Sequence, residues 1–468
     1  MLIRKLKNVG ILSTLLIVAT AARLITPIKW TLDNANADSD IYLAMAMMVT
    51  RGYKLYNQIF YGHPPLMIWV LSCAFKVFGV SASIGGLVGV VLSLIGISGI
   101  FFTAKQLGGF SAGVISVILL SFSPLYLQVS RSASNEILLC ALTPWALYSF
   151  LLYLRNRGFQ WLILSGLLSG FCFLSKFYAV FLTLSICLYF VYRRSFREVA
   201  YYLTLTGVPM LILLTFDLTA VWKDVFLFPL YRPVTSLNLR LERITDFLRG
   251  DLGLISLGIG GAFFQLKNRK NEKTGLIVLW LFLTFVGLIA QTTLYKHHLV
   301  HTLLPLAICT SFLIKEVRVI QPKEVMVFSL MLLIIPLPIL VAYGSAAVTP
   351  EFPDLVKARF EVAQLVQNMT TVNDFIISGD LMIPLIANRM VPPNLIDISD
   401  TRHEAKFILS RDLIEACIKY DVKIVIVSSR LLSFGKFIEF VRKHYVNIGT
   451  IRVSAYPQAY AYAIYIKR

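Results

Sequence analysis

The chain has 468 residues, of which 57% are hydrophobic and only 15% carry a charge, and its mean hydropathy is +0.73. About a quarter of the residues in an ordinary soluble domain are charged, so this composition excludes a soluble enzyme and indicates a polytopic membrane protein. The formal net charge is +19. No soluble module interleaves basic with aromatic residues, so we expect no nucleic-acid partner.

Eleven segments that lack Asp, Glu, Lys and Arg follow one another along the chain. About 20 apolar residues, each rising about 1.5 Å, cross a bilayer. Most of the segments reach that length, and the short, glycine-rich 252–266 is the weakest. The sequence therefore predicts about eleven transmembrane helices. The segments are residues 8–22, 77–104, 106–130, 137–154, 158–175, 177–192, 199–216, 252–266, 274–295, 297–314 and 325–350.

Residues 64–78 form a further apolar segment, and the topology depends on whether it spans. If it does not span, the loops between successive helices alternate between the two sides of the membrane so that 16 Lys and Arg lie on one side. The short turns on the other side then hold only three. The positive-inside rule then assigns the N-terminus to the cytoplasm. If it did span, this asymmetry would vanish. We therefore expect juxtamembrane helices in the first outer loop, residues 29–81, of a multi-pass protein of the cytoplasmic membrane.

The character of the chain changes after residue 344. Residues 375–377 and 423–427 are typical of short buried strands, and 459–466 alternate like a strand. Residues 412–420 and 436–444 have helical periodicity. The sequence thus predicts a transmembrane domain over 1–344 and a small C-terminal α/β domain over 345–468, on the outer face.

Ionisable residues are rare in the middle of the predicted helices and gather at their outer ends. Transporters usually hold such groups near the bilayer midplane, whereas a site at the surface suits a substrate with a lipid tail and a polar head. The clustered residues are Asp38, Asp40, His63, Arg131, Glu136, Lys176, Asp217, Arg232, Lys296, His297, His298 and His301.

Asp38 and Asp40 open the first outer loop. In an extended lead-in, both carboxylates would point the same way. The alternative for Asp40 is a cap at the start of the next helix. A divalent metal could sit among these two carboxylates, Glu136 and His297, although no ligand spacing requires it, and the metal therefore stays unknown.

The order of residues in this loop resembles the first outer loop of the polytopic C-type glycosyltransferases. The branch it resembles holds the protein O-mannosyltransferases and the lipid A aminoarabinose transferases. The resemblance extends over roughly residues 9–345. The residues that carry it are Asp38, Tyr42, Ala46, Gly52, Leu55, Tyr56, the run His63 to Leu66, Phe78 and Gly79, then Ser130, Arg131, Glu136, Gly166, Gly170, the run Leu174 to Lys176, the run Tyr295 to Leu299, and Pro305.

Three positions depart from the family pattern. The family's adjacent Asp-Glu pair is Asp38 and Ser39 here, so that Asp40 is displaced by one residue. His63 stands in place of the usual lysine before two prolines, and His298 replaces a tyrosine. The second carboxylate and one positive charge of the family site are therefore in question.

The resemblance implies a glycosyltransferase that moves a sugar from a polyprenyl phosphate to a lipid, glycan or protein acceptor outside the membrane. It implies inverting single displacement, with a carboxylate base. Asp38 is the expected base, with Asp40 and Glu136 as further catalytic residues. Membrane lipids are the other expected partners. Cationic or hydrogen-bonding groups would hold the lipid phosphate, and the candidates are His63, Arg131, Lys176, Arg232, Lys296 and His297.

Two other functions fit the same pattern. One is a transporter of lipid-linked glycans without transferase activity. The other is a C-type glycan polymerase or ligase, which would also use residues on the outer face. Release of free polyprenyl phosphate from a labelled donor would distinguish a transferase from a transporter.

Overall fold

The computed structural model describes residues 2–24, 37–268, 272–317, 353–453 and 460–468. The described part before residue 318 is mostly helical. Its helices are α1 Leu2–Leu24, α2 Ala37–Thr50, α3 Leu66–Phe78, α4 Ala82–Gly108, α5 Phe110–Ser121, α6 Pro124–Val129, α7 Asn135–Asn156, α8 Phe159–Ser175, α9 Val180–Tyr192, α10 Phe196–Met210, α11 Leu218–Val221, α12 Phe228–Leu230, α13 Leu237–Gly250, α14 Leu252–Asn268, α15 Glu272–Ala290 and α16 Val300–Val317.

Short turns of other helix types join some of these elements. They are the 3₁₀ segments Phe177–Ala179, Leu211–Thr215 and Lys296–Leu299, and the π-helical Trp222–Leu227.

Four of the described helices are long and apolar enough to cross a membrane: α4, α7, α15 and the continuous Phe196–Thr215. The pair α13 and α14 makes a fifth span if its two helices, bent by 87°, are counted together. Five further apolar helices have 10–17 residues. The chain is thus a multi-pass membrane protein. The count of eleven spans stays a prediction, and the segment 325–350 lies outside the described residues.

The length of α3 agrees with a surface position for this helix. Its 13 residues rise about 20 Å, which is short of the roughly 30 Å of a bilayer core. It packs against α2, and Ser72 donates a hydrogen bond to the Ala46 carbonyl at 3.3 Å. Every side chain from Ile41 to Met48 is buried. The helix α2 of the first outer loop is therefore part of the protein core.

Close contact between α4 and α7 holds α7 in place. A Cβ at Gly96 would lie 2.7 Å from the carbonyl oxygen of Cys140, so only glycine permits this approach. Thr103 adds a hydrogen bond to the Pro144 carbonyl at 3.1 Å. These contacts anchor the helix whose first turn holds Glu136.

The C-terminal part forms a four-stranded sheet covered by helices. The strands β1 Ile376–Ser378, β2 Ile424–Val427, β3 Tyr445–Val453 and β4 Tyr460–Lys467 lie in the order β1-β2-β4-β3. The first pair is parallel and the other two are antiparallel. The helices are α17 Pro353–Met369, α18 Met382–Ala387, α19 Asp400–Glu404, α20 Ser410–Lys419, α21 Ser429–Leu432 and α22 Gly435–His444, with a 3₁₀ turn at Pro393–Leu395.

The predicted strands and helices of this part are present. The helices α17, α18, α19 and α21 are additions, and so is strand β3. Its outward side chains are mostly exposed, so it lacked a continuous apolar signal. Leu381, Met382 and Leu385 pack into the same core as the transmembrane helices. The predicted boundary at residue 345 lies outside the described residues, and the outer-face location stays a prediction.

Candidate active site

A cavity of about 440 Å³ lies where the first outer loop, the start of α16 and the C-terminal part meet. Six of the nine predicted site residues line it, although they are scattered over 260 positions of the sequence. The other three, Asp40, Arg131 and Glu136, do not. The six are Asp38, His63, Lys176, Arg232, Lys296 and His297.

Asp38 lies in the first turn of α2, and its side chain is 47% exposed. Its Oδ2 lies 3.6 Å from Nε2 of His297. The next residue, Ser39, accepts a hydrogen bond from the backbone N–H of Ala133 at 3.3 Å. Asp38 therefore presents a solvated carboxylate to the cavity from an anchored helix end.

Asp40 points away from the cavity. The expected extended lead-in is wrong, because α2 begins at Ala37 and includes both aspartates. Residues two apart on a helix do not share a face. Asp40 is 3% exposed, and its Oδ2 lies 3.8 Å from a guanidinium nitrogen of Arg359. Burial raises its pKa to about 7, against the opposing effect of Arg359.

Glu136 is buried behind the cavity wall, where Lys176 pairs with it. Lys176 reaches the pair from the end of α8, and its ammonium also lies 4.8 Å from the ring centre of Tyr178. His297 Nε2 approaches Glu136 Oε1 to 3.6 Å. The carboxylate is thus neutralised by its neighbours, whereas Lys176 still lines the cavity.

Arg232 and Lys296 supply further positive charge to the cavity, and Arg243 adds one that the sequence did not single out. Lys296 is 41% exposed and lies 3.4 Å from Asp246. Arg243 donates to the Leu294 carbonyl, and its guanidinium lies 5.0 Å from the ring centre of Tyr295. The sequence around Arg243 has the pattern of an amphipathic helix, but that pattern does not show that the Arg243 side chain faces the cavity.

His63 is half-buried beside the rings of Tyr42 and Tyr61, and its carbonyl accepts a hydrogen bond from the Tyr56 hydroxyl at 2.8 Å. Burial, and then the charges of Lys176 and Arg232, lower the pKa of His63 well below its usual range. The imidazole is therefore neutral and offers a hydrogen bond where the family pattern has a charge.

Arg131 lies outside the cavity. It is 3% exposed and donates to the carbonyl of Ala22 at 2.6 Å. This contact ties the end of α1 to the loop before α7. The predicted contact of Arg131 with substrate has no support from its position.

The C-terminal part supplies a polar wall that the sequence analysis missed. Asp397, Asp400, Thr401 and Arg430 line the cavity opposite the transmembrane helices. The Thr401 hydroxyl lies 3.1 Å from the hydroxyl of Tyr295. No local pattern marks these residues, since only the tertiary fold brings them to the site.

Glu136, His297 and His298 place three potential metal ligands within 4.8 Å of one another. The surroundings fit a metal poorly. Glu136 already pairs with Lys176, whose charge opposes a cation. Nδ1 of His298 faces the Gln291 amide nitrogen at 3.0 Å, so the neutral ring carries its proton on Nε2, toward Glu136.

Comparisons with a family model and with solved structures show which proteins share the fold of this chain. Residues 62–217 match the family model of dolichyl-phosphate-mannose-protein mannosyltransferase. The crystal structure of ArnT from Cupriavidus metallidurans superposes with a TM-score of 0.66 at 12% identity, over 98% of this chain and 97% of that one. The crystal structure of the same protein bound to undecaprenyl phosphate superposes with a TM-score of 0.64 at 13% identity, over the same shares of the two chains. No curated protein sequence matches the chain significantly.

The oligosaccharyltransferase of Archaeoglobus fulgidus, tethered to an acceptor peptide, is also similar. It superposes with a TM-score of 0.58 at 13% identity, over 97% of this chain and 74% of that one. Nearly the whole chain therefore shares its fold with these enzymes. Together with the family match, this confirms the predicted resemblance to C-type glycosyltransferases.

Proposed function

From its C-type glycosyltransferase fold, we propose that the protein transfers a sugar from a polyprenyl-phosphate donor to a hydroxyl-bearing acceptor at the membrane surface. The proposal rests on one observation: a carboxylate and several cationic side chains line the same cavity. Asp38 and the cationic side chains of Lys176, Arg232 and Lys296 face the same space. A proton acceptor and a phosphate-binding set are the two groups that this transfer needs.

In the proposed reaction, Asp38 accepts the proton of the acceptor hydroxyl while the hydroxyl oxygen of the acceptor bonds to the anomeric carbon. The bond from that carbon to the phosphate oxygen breaks at the same time, and its electron pair leaves with the polyprenyl phosphate. The configuration of the anomeric carbon is inverted. Since the phosphate gains a negative charge, the cations stabilise the transition state more than the bound donor.

Lys176 is the best-placed phosphate ligand. It is 7% exposed, with Glu136 on one side and the cavity on the other. A charge in a partly dry site acts more strongly than one in water. We assign Glu136 the role of holding Lys176 and His297 in place, instead of that of a second base. The orientation of Asp40 likewise makes it a supporting residue.

The kind of donor rests on a neighbour of the same fold. ArnT from Cupriavidus metallidurans was crystallised with undecaprenyl phosphate, which supports a polyprenyl phosphate carrier here. The Archaeoglobus fulgidus oligosaccharyltransferase holds an acceptor peptide. A lipid, a glycan and a protein remain the acceptor classes that the proposal includes.

The test is a transfer assay with the purified protein. Polyprenyl phosphates that carry different radiolabelled sugars would be mixed with membrane acceptors. The proposal expects label in an acceptor and an equal amount of free polyprenyl phosphate. Movement of intact donor across vesicles without hydrolysis or transfer would indicate a transporter. Growth of a lipid-linked glycan chain would indicate a polymerase.

A divalent metal is not part of the proposed chemistry, because the donor set of Glu136, His297 and His298 fits one poorly. Transfer should therefore survive dialysis against a chelator. Loss of transfer that Mn²⁺, Mg²⁺ or Zn²⁺ restores would place a metal in the site.

A further inference from the structure

The first turn of α2 is held from two sides. On one side Ser39 accepts the hydrogen bond of Ala133, in the loop that leads to α7. On the other side Asp40 faces Arg359 of α17, in the C-terminal part, with 3.8 Å between Oδ2 and NH2. Both side chains of this second pair are 4% exposed. Asp38, between these anchors and the cavity, has only His297 as an ionic neighbour among the described residues.

Arg359 is itself fixed by the sheet of the C-terminal part. Its Nε donates to Oδ2 of Asp380 at 2.7 Å, and the Tyr462 hydroxyl donates to the same oxygen at 2.6 Å. The other oxygen of Asp380 accepts the backbone N–H of Met382 at 3.0 Å. The guanidinium thus joins α17, the turn after β1 and strand β4 to the start of α2.

One guanidinium here serves two buried carboxylates. Arg359 lowers the pKa of Asp380 against the effect of burial. Without Arg359, Asp40 would lose its ionic partner and Asp380 would lose a charged hydrogen-bond donor. A buried carboxyl group without a partner is unfavourable. Asp40 would then turn away from the buried place in which Arg359 holds it. Such a turn would rotate the helix end on which Asp38 lies.

We propose that Arg359 is a positioning residue of the active site, which binds Asp40 from the C-terminal part and thereby aims Asp38 into the cavity. The proposal rests on the proposed function, because it takes Asp38 as the base. It assigns the C-terminal part a role in catalysis besides that of a cavity wall. The apolar packing of α2 fixes the body of the helix, while Arg359 fixes the direction of its first turn.

The test compares Arg359→Met with a matched control, Arg389→Met. Arg389 is 6% exposed and also lies in the C-terminal part, but its bonds go to Thr370 and to backbone carbonyls of the same part. Both full-length variants would be assayed for melting temperature, donor affinity and kcat. Both should melt earlier than the wild type. Only Arg359→Met should lose kcat, by about 10- to 100-fold, with donor affinity unchanged.

Two further variants separate positioning from folding. Arg359→Lys keeps a cation between the carboxylates and should restore part of kcat. Asp40→Asn in the Arg359→Met background removes one buried carboxyl group that has lost its partner, so it should raise the melting temperature while kcat stays low. Full recovery of kcat in that double variant would overturn the proposal, and so would equal kcat in Arg359→Met and Arg389→Met.

Failure of the proposed function would look different. If Asp38→Asn transfers sugar at the wild-type rate, Asp38 is not the base and both proposals fall. If Asp38→Asn is inactive while Arg359→Met keeps its kcat, only the positioning role is wrong.

Discussion

Nε2 of His297 lies 3.6 Å from Oδ2 of Asp38, although the two residues are separated by most of the transmembrane part. Asp38 comes from the first outer loop, and His297 from the turn before α16. The same imidazole nitrogen is equally far from Glu136. The candidate site is therefore built from three distant segments that converge at one end of the helices.

Lys296→Met should weaken donor binding by about 10- to 100-fold, which is the loss of one charge-assisted contact with the phosphate. Stability should change little, since an exposed ion pair such as that with Asp246 contributes at most about 1 kcal/mol. Donor affinity and melting temperature of the purified variant check this. Lys76→Met, at an exposed position away from the cavity, is the control and should bind donor normally.

Lys176 needs a different design, because it is buried against Glu136. Lys176→Met alone should destabilise by about 3–5 kcal/mol, as it leaves a buried carboxylate unpaired. The double variant Lys176→Met with Glu136→Gln should recover most of the melting temperature and still bind donor weakly. Wild-type donor affinity in the double variant would remove Lys176 from the phosphate site.

Asp224 should make stability depend on pH. It accepts a hydrogen bond from the Tyr61 N–H at 3.3 Å, and burial raises its pKa from 3.8 to about 7. Between these values the folded protein binds a proton that the unfolded chain has lost. Between these two pH values, the contribution of Asp224 to the free energy of unfolding therefore falls by about 1.4 kcal/mol for each pH unit as the pH rises.

Asp224→Asn removes that dependence. The variant should melt at a higher temperature than the wild type at pH 8, and the difference should shrink toward pH 5. Asp40 is common to both proteins, so its own titration does not affect the comparison. A difference that stays constant from pH 5 to 8 would show that Asp224 is ionised throughout.

The orientation of the helices is open to direct measurement. Gln106 and Arg155 lie at the same end of the bundle, with a hydrogen bond of 3.2 Å between them. The charge asymmetry predicts that this end faces the cytoplasm. Cysteines introduced at Gln106 and Asn156 should react in whole cells only with membrane-permeant reagents. Labelling of either by an impermeant maleimide would invert the topology.

The sequence predicted which polar residues gather at one end of the helices, because the bilayer confines charges to its surfaces. The position of each residue along a span was therefore informative. Lys176 and Lys296 were found in this way, in turns otherwise without charge. The strands β1 and β2 of the C-terminal part were found from short apolar runs and β4 from its alternation, whereas β3 was not found.

The sequence did not predict side-chain direction. Asp38 and Asp40 differ by a helical rotation, and this rotation depends on where α2 begins. Arg359 and Arg430 come from a part of the chain whose packing against α2 has no local signature. Residues that act through tertiary contacts alone, as Arg359 does, are beyond what composition and spacing reveal.

The most direct test of the account is the turnover of Asp38→Asn. Asparagine keeps the size and much of the hydrogen bonding of the side chain but does not accept the proton, so kcat should fall by about 10²- to 10⁴-fold with donor affinity intact. Asp217→Asn is the matched control, since Asp217 is an exposed helix cap and asparagine caps equally well. Wild-type turnover in Asp38→Asn would contradict the account.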